Sequence, residues 1–388
     1  MAIIDTEAMQ RLRQKIEEAA GLIKKRIEER RPLLIRHHAD CDGYSGAIAV
    51  QRAALVQMEK VVKRESDLHY YLKRLPCKAP FYEYVDAVKD ISSFLQDQVR
   101  FDRKKPLVII IDNGSGNEDL LALKKLKLYD ANILVIDHHP PAAENDRFID
   151  MHLNPYLAGA DSRITAGMLA SEVASSLGEV ADLELFAAVS GIADKSEGEE
   201  MDSYLKLAGA AGWSKEKLEK LALAIDYEAS ALGFLEGRYL IDDLMFGDSK
   251  LQEKTIVMLN TEIEKERSIL KKAVEHYCRS EDKASFTLAE MDMALLSQRV
   301  SAGRAARILF DNMTKEGREA VIIVHSPDSA TLRISKGLSI DVNQIIAALE
   351  KELPFAMVSG GGHAKAGTVR FSPGAKDDIL ASIRRHLG

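Results

Sequence analysis

Two aspartates and a histidine lie close together near the beginning of the chain. They belong to the segment His38-Ala39-Asp40-Cys41-Asp42-Gly43, which follows a short apolar run. Where a strand turns into a loop, carboxylates two residues apart can face the same pair of ions. Gly43 allows a sharp backbone turn there. The pattern therefore indicates a candidate cation site, although a turn with a helix N-cap has the same sequence.

Three further acidic positions follow apolar segments. Asp112 ends the run LVIII and precedes Asn113-Gly114, Asp137-His138-His139 follows NILVI, and Asp194 follows FAAVSGIA. Each has an ordinary alternative explanation, because Asp-Asn-Gly is a common turn signal and Asp194 can simply begin a polar loop. Adjacent histidines after a buried strand are less ordinary, since titratable groups there need a partner.

The segments that carry these residues predict how they are positioned. Continuous β-branched runs alternate with helical segments such as SGAIAVQRAALVQ, which is typical of a parallel sheet covered on both faces. Polar residues at the carboxyl ends of such strands meet in one crevice. The sequence therefore predicts an α/β fold in which seven side chains converge: Asp40, Asp42, Asp112, Asp137, Asp194, His138 and His139.

Such a cluster does not stay ionised without cations, because closely spaced carboxylates raise one another's pKa values. Two divalent ions would offset most of the charge. Mixed aspartate and histidine ligands suit Mn²⁺, whereas all-oxygen sites favour Mg²⁺ or Ca²⁺ and thiolate sites favour Zn²⁺. Two ions about 3.5–4 Å apart form the arrangement that hydrolyses phosphate esters. We therefore expect a phosphoesterase with two Mn²⁺ ions, for which Mg²⁺ is a substitute.

These segments resemble motifs I to IV of the DHH phosphoesterase superfamily. The C-terminal segment Gly360-Gly361-Gly362-His363 resembles the glycine-rich motif of its DHHA1 domain, and Arg333-Ile334-Ser335 resembles the substrate-phosphate contact of that domain. The single-chain layout, the motif I spacing and a leading helix are most similar to the archaeal RecJ-like exonucleases, which include the helicase-associated nuclease group. The resemblance covers about residues 30–200 and 285–388.

The resemblance also implies roles for individual residues. Asp112 would bridge the two ions. On one side of it the ligands would be His38 and Asp40; on the other they would be Asp42, His138 and Asp194. His139 would lie beside the scissile phosphate, and Asp137 would be a ligand or would orient a histidine. His37 adjoins His38, and other branches of the family place the motif I histidine where this chain has Arg36, so the choice between His37 and His38 stays open.

The second domain offers candidate phosphate contacts. A GGGH loop gives a phosphate close access to backbone N–H groups, and His363 can pair with it. Arg333 can form a bidentate contact, while Lys365, Arg304 and Arg307 are further candidate cations. The expected substrate-binding residues are Arg333, Ser335, Gly360, Gly361, Gly362 and His363.

The pattern along the chain predicts four regions. Residues 1–30 are an N-terminal helix, with Met9, Leu12 and Ile16 among the apolar residues of its buried face. Residues 31–200 form the DHH catalytic domain, residues 201–283 a charged helical connector, and residues 284–388 a smaller α/β DHHA1 domain.

Composition limits the class of protein further. The chain has 388 residues, 46% of them hydrophobic, and a net charge of −7, which excludes a polybasic protein that holds nucleic acid by bulk charge. The three cysteines form no metal-binding or disulfide pattern. No run is long enough for a membrane span, and the charged N-terminal segment lacks the apolar core of a signal peptide. We therefore expect a cytoplasmic protein that has no membrane partner.

The expected function is an exonuclease that degrades single-stranded DNA or RNA to mononucleotides, with a helicase or another replication or repair protein as a partner. One alternative is a phosphodiesterase of oligoribonucleotides, cyclic dinucleotides or phosphoadenosine phosphate, which the acidic net charge favours. A second is a non-catalytic replication or repair scaffold. An inorganic pyrophosphatase ranks last, because its second domain lacks such a GGGH segment.

Overall fold

The computed structural model describes residues 2–64, 67–77, 79–101, 104–232, 238–296, 300–315 and 317–387. The chain divides into two units, Met1–Asn260 and Thr261–Gly388, each with its own sheet. The α/β fold class predicted from the sequence is therefore confirmed.

The described strands of the first unit form a parallel sheet. They are β1 (Leu33–His37), β2 (Leu72–Pro76), β3 (Leu107–Ile111), β4 (Asn132–Ile136) and β5 (Met151–Leu153). The strand order is β2-β1-β3-β4-β5, and every neighbouring pair is parallel. Because β2 and β3 lie on opposite sides of β1, the order reverses beside β1. A reversal of this kind opens a crevice at the carboxyl ends of the strands.

Helices cover both faces of this sheet. The helices up to the boundary between the units are α1 (Glu7–Glu28), α2 (Cys41–Met58), α3 (Leu68–Tyr71), α4 (Tyr84–Phe101), α5 (Leu120–Leu128), α6 (Ala166–Leu177), α7 (Leu183–Ala193), α8 (Glu199–Ala210), α9 (Lys215–Leu232), α10 (Arg238–Phe246) and α11 (Ser249–Tyr277). Successive strand residues point to opposite faces. Ile109 and Ile111 pack with α1, α2 and α6, whereas Val108 and Ile110 pack with α4 and α5.

The N-terminal helix α1 packs into the core of the first unit. All six apolar residues of its predicted stripe are buried: Met9, Leu12, Ile16, Ala19, Ile23 and Ile27. The segment before it is held by the buried carboxylate of Glu172, which accepts hydrogen bonds from the main-chain N–H groups of Ile3 and Ile4 at 3.0 and 3.1 Å. Helix α1 therefore stabilises the first unit rather than standing apart from it.

Shortening a core side chain of α1 tests this packing. Leu12 is fully buried, so Leu12→Ala is expected to lower the free energy of unfolding by about 2–5 kcal/mol. Leu128→Ala is the control, because that leucine is 77% exposed, and it should change the free energy by less than about 0.5 kcal/mol. Urea denaturation followed by circular dichroism measures both. Equal midpoints for the two variants would contradict the packing of α1 in the core.

The region predicted as a helical connector contains α8 to α11, and part of it packs in the core of the first unit. Helix α9 buries a stripe formed by Leu218, Leu221 and Ile225 in the first core, and the boundary between the units falls within α11. The dense charge of this region concealed that stripe. The last residues of the predicted connector form a strand, Arg279–Asp282.

The second unit contains a mixed sheet of described strands. They are β6 (Arg279–Asp282), β7 (Thr287–Asp292), β8 (Ala320–His325), β9 (Ser329–Ile334), β10 (Ser359–His363) and β11 (Ala366–Arg370), in the order β10-β11-β9-β8-β7-β6. Only the pair β7 and β8 is parallel among them. Helix α12 (Ala302–Met313) packs on one face; α13 (Val342–Glu352) and α14 (Lys376–Leu387) pack on the other.

Candidate metal centre

The motif I segment turns from β1 into α2. Asp40 is the N-cap of α2, and its carboxylate accepts a hydrogen bond from the N–H of Gly43 at 3.0 Å. Gly43 lies inside the helix. A Cβ there would lie 2.3 Å from the carbonyl oxygen of His38. The chain therefore turns back so closely between β1 and α2 that only a glycine fits at position 43.

The two adjacent histidines point in different directions. His38 Nδ1 lies 2.8 Å from Asp40 Oδ2 and 3.1 Å from Asp112 Oδ2. The ring of His37 is fully buried against Tyr44, with ring centroids 4.5 Å apart. Burial, reinforced by the charge of Arg74, lowers the pKa of His37 to about 3. Of the two histidines, the geometry favours His38 as a ligand, because among the described residues carboxylates face a ring nitrogen of His38 and none is paired with His37.

Asp42 is buried in the first turn of α2 and is fixed by another helix. Its Oδ1 accepts hydrogen bonds from the N–H of Gly167 at 2.6 Å and from the hydroxyl of Ser190 at 2.5 Å, and its Oδ2 accepts one from the N–H of Ala166 at 3.1 Å. The carboxylate therefore sits at the N-terminus of α6, where the helix dipole favours negative charge. Burial and the nearby charges of Asp112 and Asp194 nevertheless raise the pKa of Asp42.

Asp112 lies at the end of β3 with φ of +59°, a left-handed conformation that aspartate and asparagine tolerate better than most residues. Its Oδ1 atom is buried, and Nε2 of His138 lies 3.3 Å from it. Burial by itself raises the pKa of Asp112, but hydrogen bonding to His138 and His38 outweighs burial and holds the pKa well below its usual value.

His138 presents one ring nitrogen to three carboxylates. Its Nε2 atom lies 3.3 Å from oxygens of Asp112 and of Asp194 and 3.7 Å from Asp42. Its Nδ1 atom lies 2.9 Å from the carbonyl oxygen of Ser162, which can only accept a hydrogen bond, so we assign the proton of the neutral ring to Nδ1. The lone pair of Nε2 then faces the carboxylates, an arrangement that needs a proton or a metal ion.

Asp137 and His139 form a pair beside this cluster. Asp137 Oδ1 lies 2.8 Å from His139 Nδ1 and accepts hydrogen bonds from two main-chain N–H groups of the motif. Its Oδ2 accepts a further one from the N–H of Ser115. The donors that surround Asp137 favour the orienting role over the ligand role. The charge of Asp137 outweighs burial and raises the pKa of His139 to about 9, so that ring is protonated near neutral pH.

Asp194 is the C-cap of α7 and reaches the cluster from a helix end rather than from a strand. Burial, together with the charges of Asp112 and Asp40, raises the pKa of Asp194 to about 6 even though His138 opposes the shift.

The structure brings the predicted ligands together in three groups. Within each group, the ligand atoms lie within 4.8 Å of one another. The groups are His38, Asp40 and Asp112; Asp42, His138 and Asp194; and Asp112, His138 and His139. Asp112 occurs in two of them. The buried Asp112 Oδ1 atom and the Nε2 lone pair of His138 face each other at 3.3 Å, and this donor set fits a pair of divalent ions.

One carboxylate near the centre was missed in the sequence. Asp226 lies on α9, and its Oδ1 accepts a hydrogen bond from the N–H of Cys41 at 2.9 Å. Burial and the charge of Asp40 raise the pKa of Asp226 to about 7. Because Asp226 lies within a helix and follows no buried strand, the rule that located the other carboxylates could not find it.

The predicted phosphate contacts all lie in the second unit. The segment predicted as a GGGH loop forms the edge strand β10, so the loop prediction is wrong. Glycine is required there because a Cβ at Gly360 would lie 2.2 Å from the carbonyl oxygen of Thr368, and one at Gly362 would lie 2.5 Å from that of Ala366. Gly361 pairs with Thr368 in the hairpin formed by β10 and β11, and His363 is the last residue of β10 that pairs before the turn.

Two further candidate phosphate-binding residues of this unit, Ser335 and Lys365, form hydrogen bonds with the main chain. The buried hydroxyl of Ser335 accepts a hydrogen bond from the N–H of Ala320 at 2.8 Å. The ammonium group of Lys365 donates to the carbonyl oxygens of Leu338 and Ile340. These contacts explain the two side chains as parts of the sheet and the adjoining loop.

Arg333 and His363 lie in one row across three strands. Arg333 pairs with Ala366, and Ala366 pairs with His363, so their side chains share a face of the sheet. Arg333 Nε is buried and has no hydrogen-bond partner within the described ranges. Burial and the nearby charge of Arg307 lower the pKa of Arg333. The guanidinium groups of Arg333 and Arg307 and the unused Nε donor of Arg333 favour the binding of an anion at this face of the sheet.

Comparisons with known proteins agree with this geometry. Residues 32–194 match the model of the DHH family, N-terminal domain. An uncharacterized protein of Methanocaldococcus jannaschii is 32% identical over 97% of this chain, which spans about half (54%) of that protein. A solved DHH domain, described as belonging to a member of a family of ribosomal proteins, is 33% identical with a TM-score of 0.92. The match covers 100% of this chain and 93% of that one.

The fold also occurs in a more distant protein. RecJ of Thermus thermophilus in complex with Mn²⁺ has a TM-score of 0.67 at 14% identity, over 96% of this chain and 54% of RecJ. Among the described residues, no helix has the length and apolar character needed to cross a bilayer. On the strength of the family match, the closely similar DHH domain and the convergence of the motif residues, the chain belongs to the DHH family of phosphoesterases.

Proposed function

We propose that the chain removes nucleotides from one end of single-stranded DNA or RNA by hydrolysis that depends on two Mn²⁺ ions. The observation that carries the proposal is the convergence of three ligand groups that are linked through Asp112 and His138. When bound, the ions supply Lewis-acid stabilisation of the phosphate oxygens and an activated water.

The side chains of the centre have separate tasks in this reaction. His38 and Asp40 would hold one ion, Asp42 and Asp194 would hold the other together with His138, and Asp112 would contribute to both. His139 is protonated near neutral pH and is oriented by Asp137, so it donates a hydrogen bond to the phosphate and stabilises the developing charge.

The second unit supports a phosphate-bearing substrate. Arg333 and His363 share a sheet face with Thr331 and Thr368, whose hydroxyl groups lie 3.1 Å apart in the neighbouring row. Two residues along a strand advance the chain by about 6.8 Å, similar to the spacing of successive phosphates in an extended single strand. Polar contacts in successive rows favour a polynucleotide over a dinucleotide.

Digestion of end-labelled DNA and RNA strands of matched sequence tests the proposal. RNA is included because the similar solved domain is assigned to a ribosomal-protein family. We expect mononucleotides to be released from one end with Mn²⁺ and no release with a chelator. Cleavage of a labelled dinucleotide alone would instead favour the small-nucleotide phosphodiesterase. Mn²⁺ binding without hydrolysis of any of these substrates would favour the scaffold.

A further inference from the structure

A chain of hydrogen bonds runs from the exposed carboxylate of Asp146 into the buried surroundings of Asp137 and His139. Ser115 follows the Asp112 turn, and its main-chain N–H donates to Asp137 Oδ2 at 3.1 Å. Its hydroxyl oxygen lies 2.9 Å from Nε2 of His152 on β5. The Nδ1 atom of His152 in turn lies 2.6 Å from Asp146 Oδ1. The chain therefore runs from Asp146 to the Asp137 carboxylate.

The direction of these hydrogen bonds follows from the chemistry of the groups. The ionised carboxylate of Asp146 can only accept, so Nδ1 of His152 carries the proton and Nε2 accepts the hydroxyl proton of Ser115. The oxygen of Ser115 then accepts a hydrogen bond from Nδ2 of Asn154 at 3.0 Å. Each polar atom of Ser115 named here has a defined partner, and the serine is held in one orientation.

Asn154 connects the same chain to the backbone of His139. Its Nδ2 atom also donates to the carbonyl oxygen of His139 at 2.9 Å, and its Oδ1 atom accepts from the N–H of Tyr156. Asn154 is fully buried. The carboxylate that orients the His139 ring and the main chain that carries this ring are therefore both held by Ser115 and Asn154.

A serine, a histidine and an aspartate in this order also occur in acyl-transfer enzymes. In this protein Ser115 is 0% exposed, so a substrate carbonyl cannot reach its hydroxyl group. The backbone N–H of the same serine is bonded to Asp137 rather than directed at a substrate. The arrangement is thus a support and not a nucleophile.

We infer that Ser115, His152 and Asn154 are positioning residues that hold the Asp137–His139 pair in its orientation toward the phosphate. The inference rests on the proposed function for its catalytic consequence. Its structural part, the orientation of the His139 ring, does not depend on the substrate. Partners that orient the residues of a metal site contribute about 10–100-fold to activity or metal affinity.

The main test is His152→Ala, which removes the acceptor of the Ser115 hydroxyl. We expect kcat to fall by about 10–100-fold, whereas KM and the Mn²⁺ affinity measured by electron paramagnetic resonance change by less than about twofold. His152→Gln restores an acceptor and should recover part of the loss. His325→Ala is the matched control, because His325 is equally buried (7% exposed) and lies in the second unit, and it should leave kcat unchanged.

Two further measurements separate positioning from general damage to the fold. Ser115→Ala combined with His152→Ala should lose no more activity than the more impaired of the two single variants, because both break the same hydrogen bond. In ¹⁵N-histidine spectra, the ring signals of His139 should move in His152→Ala and stay in place in His325→Ala. This readout remains valid if the wild-type protein hydrolyses no phosphodiester, a result that would overturn the proposed function alone. Unchanged His139 signals, or losses that multiply in the double variant, would overturn the positioning role.

Discussion

Asp112→Asn is expected to abolish Mn²⁺-dependent hydrolysis, with a loss in kcat of at least about 10³-fold, or about 4 kcal/mol of transition-state stabilisation. Asp112 is the only aspartate shared by two ligand groups within the described residues, and the amide removes the charge that both ions need. Asparagine keeps the left-handed backbone conformation of Asp112 accessible, so the variant should fold. Hydrolysis of a labelled strand and Mn²⁺ titration followed by electron paramagnetic resonance measure the two effects.

Asp130→Asn provides the matched control. Asp130 has a similar positive φ of +54° but lies on the surface, where it pairs with Lys105. The same substitution at the same backbone conformation should therefore leave hydrolysis and Mn²⁺ binding intact. If Asp112→Asn kept wild-type activity, the two-ion centre assigned to these residues would be incorrect.

Mn²⁺ affinity is expected to rise steeply with pH. Burial lowers the pKa values of His38 and His138, but the carboxylates around them outweigh burial and raise both pKa values well above normal. Without metal, both imidazole rings are therefore in the charged form at neutral pH, with a proton on each ring nitrogen. A ring nitrogen binds a metal ion only after it loses that proton. Raising the pH removes the competing protons, so the sign of the effect is tighter binding at higher pH.

The size of the effect follows from the number of protons released. Each proton released changes the dissociation constant for Mn²⁺ by about tenfold per pH unit. Release of one proton from His38 and one from His138 therefore changes this constant by about 100-fold per pH unit. Calorimetric titration of Mn²⁺ in buffers with different ionisation enthalpies counts these protons. In His38→Gln we expect one proton fewer, whereas His37→Gln should leave the count unchanged because His37 is already neutral, with a pKa of about 3. An affinity that does not vary with pH would contradict this ligand set.

Part of the fold could be predicted because the apolar periodicity was strong. Strands β1, β3 and β4 contain the apolar runs Leu33–Ile35, Leu107–Ile111 and Ile133–Ile136, and the stripe of α1 repeats at helical spacing. The strands β2 and β5 could not be predicted in this way. The first carries Lys73 and Arg74 within five residues, and the second spans only Met151–Leu153. Their pairing with β1 and β4 supplies the stability that their own sequences do not indicate.

The sequence by itself determined the chemistry of the centre, because aspartates and histidines after buried parallel strands converge at one sheet edge. Only the tertiary structure decided which of two adjacent histidines faces the carboxylates, and that Asp226, Ser115 and His152 lie near the centre. Ring direction and contacts between distant segments depend on packing in three dimensions, and neither leaves a periodic signal in the chain. The same reason explains the glycines of β10, whose role was set by the close approach of a neighbouring strand.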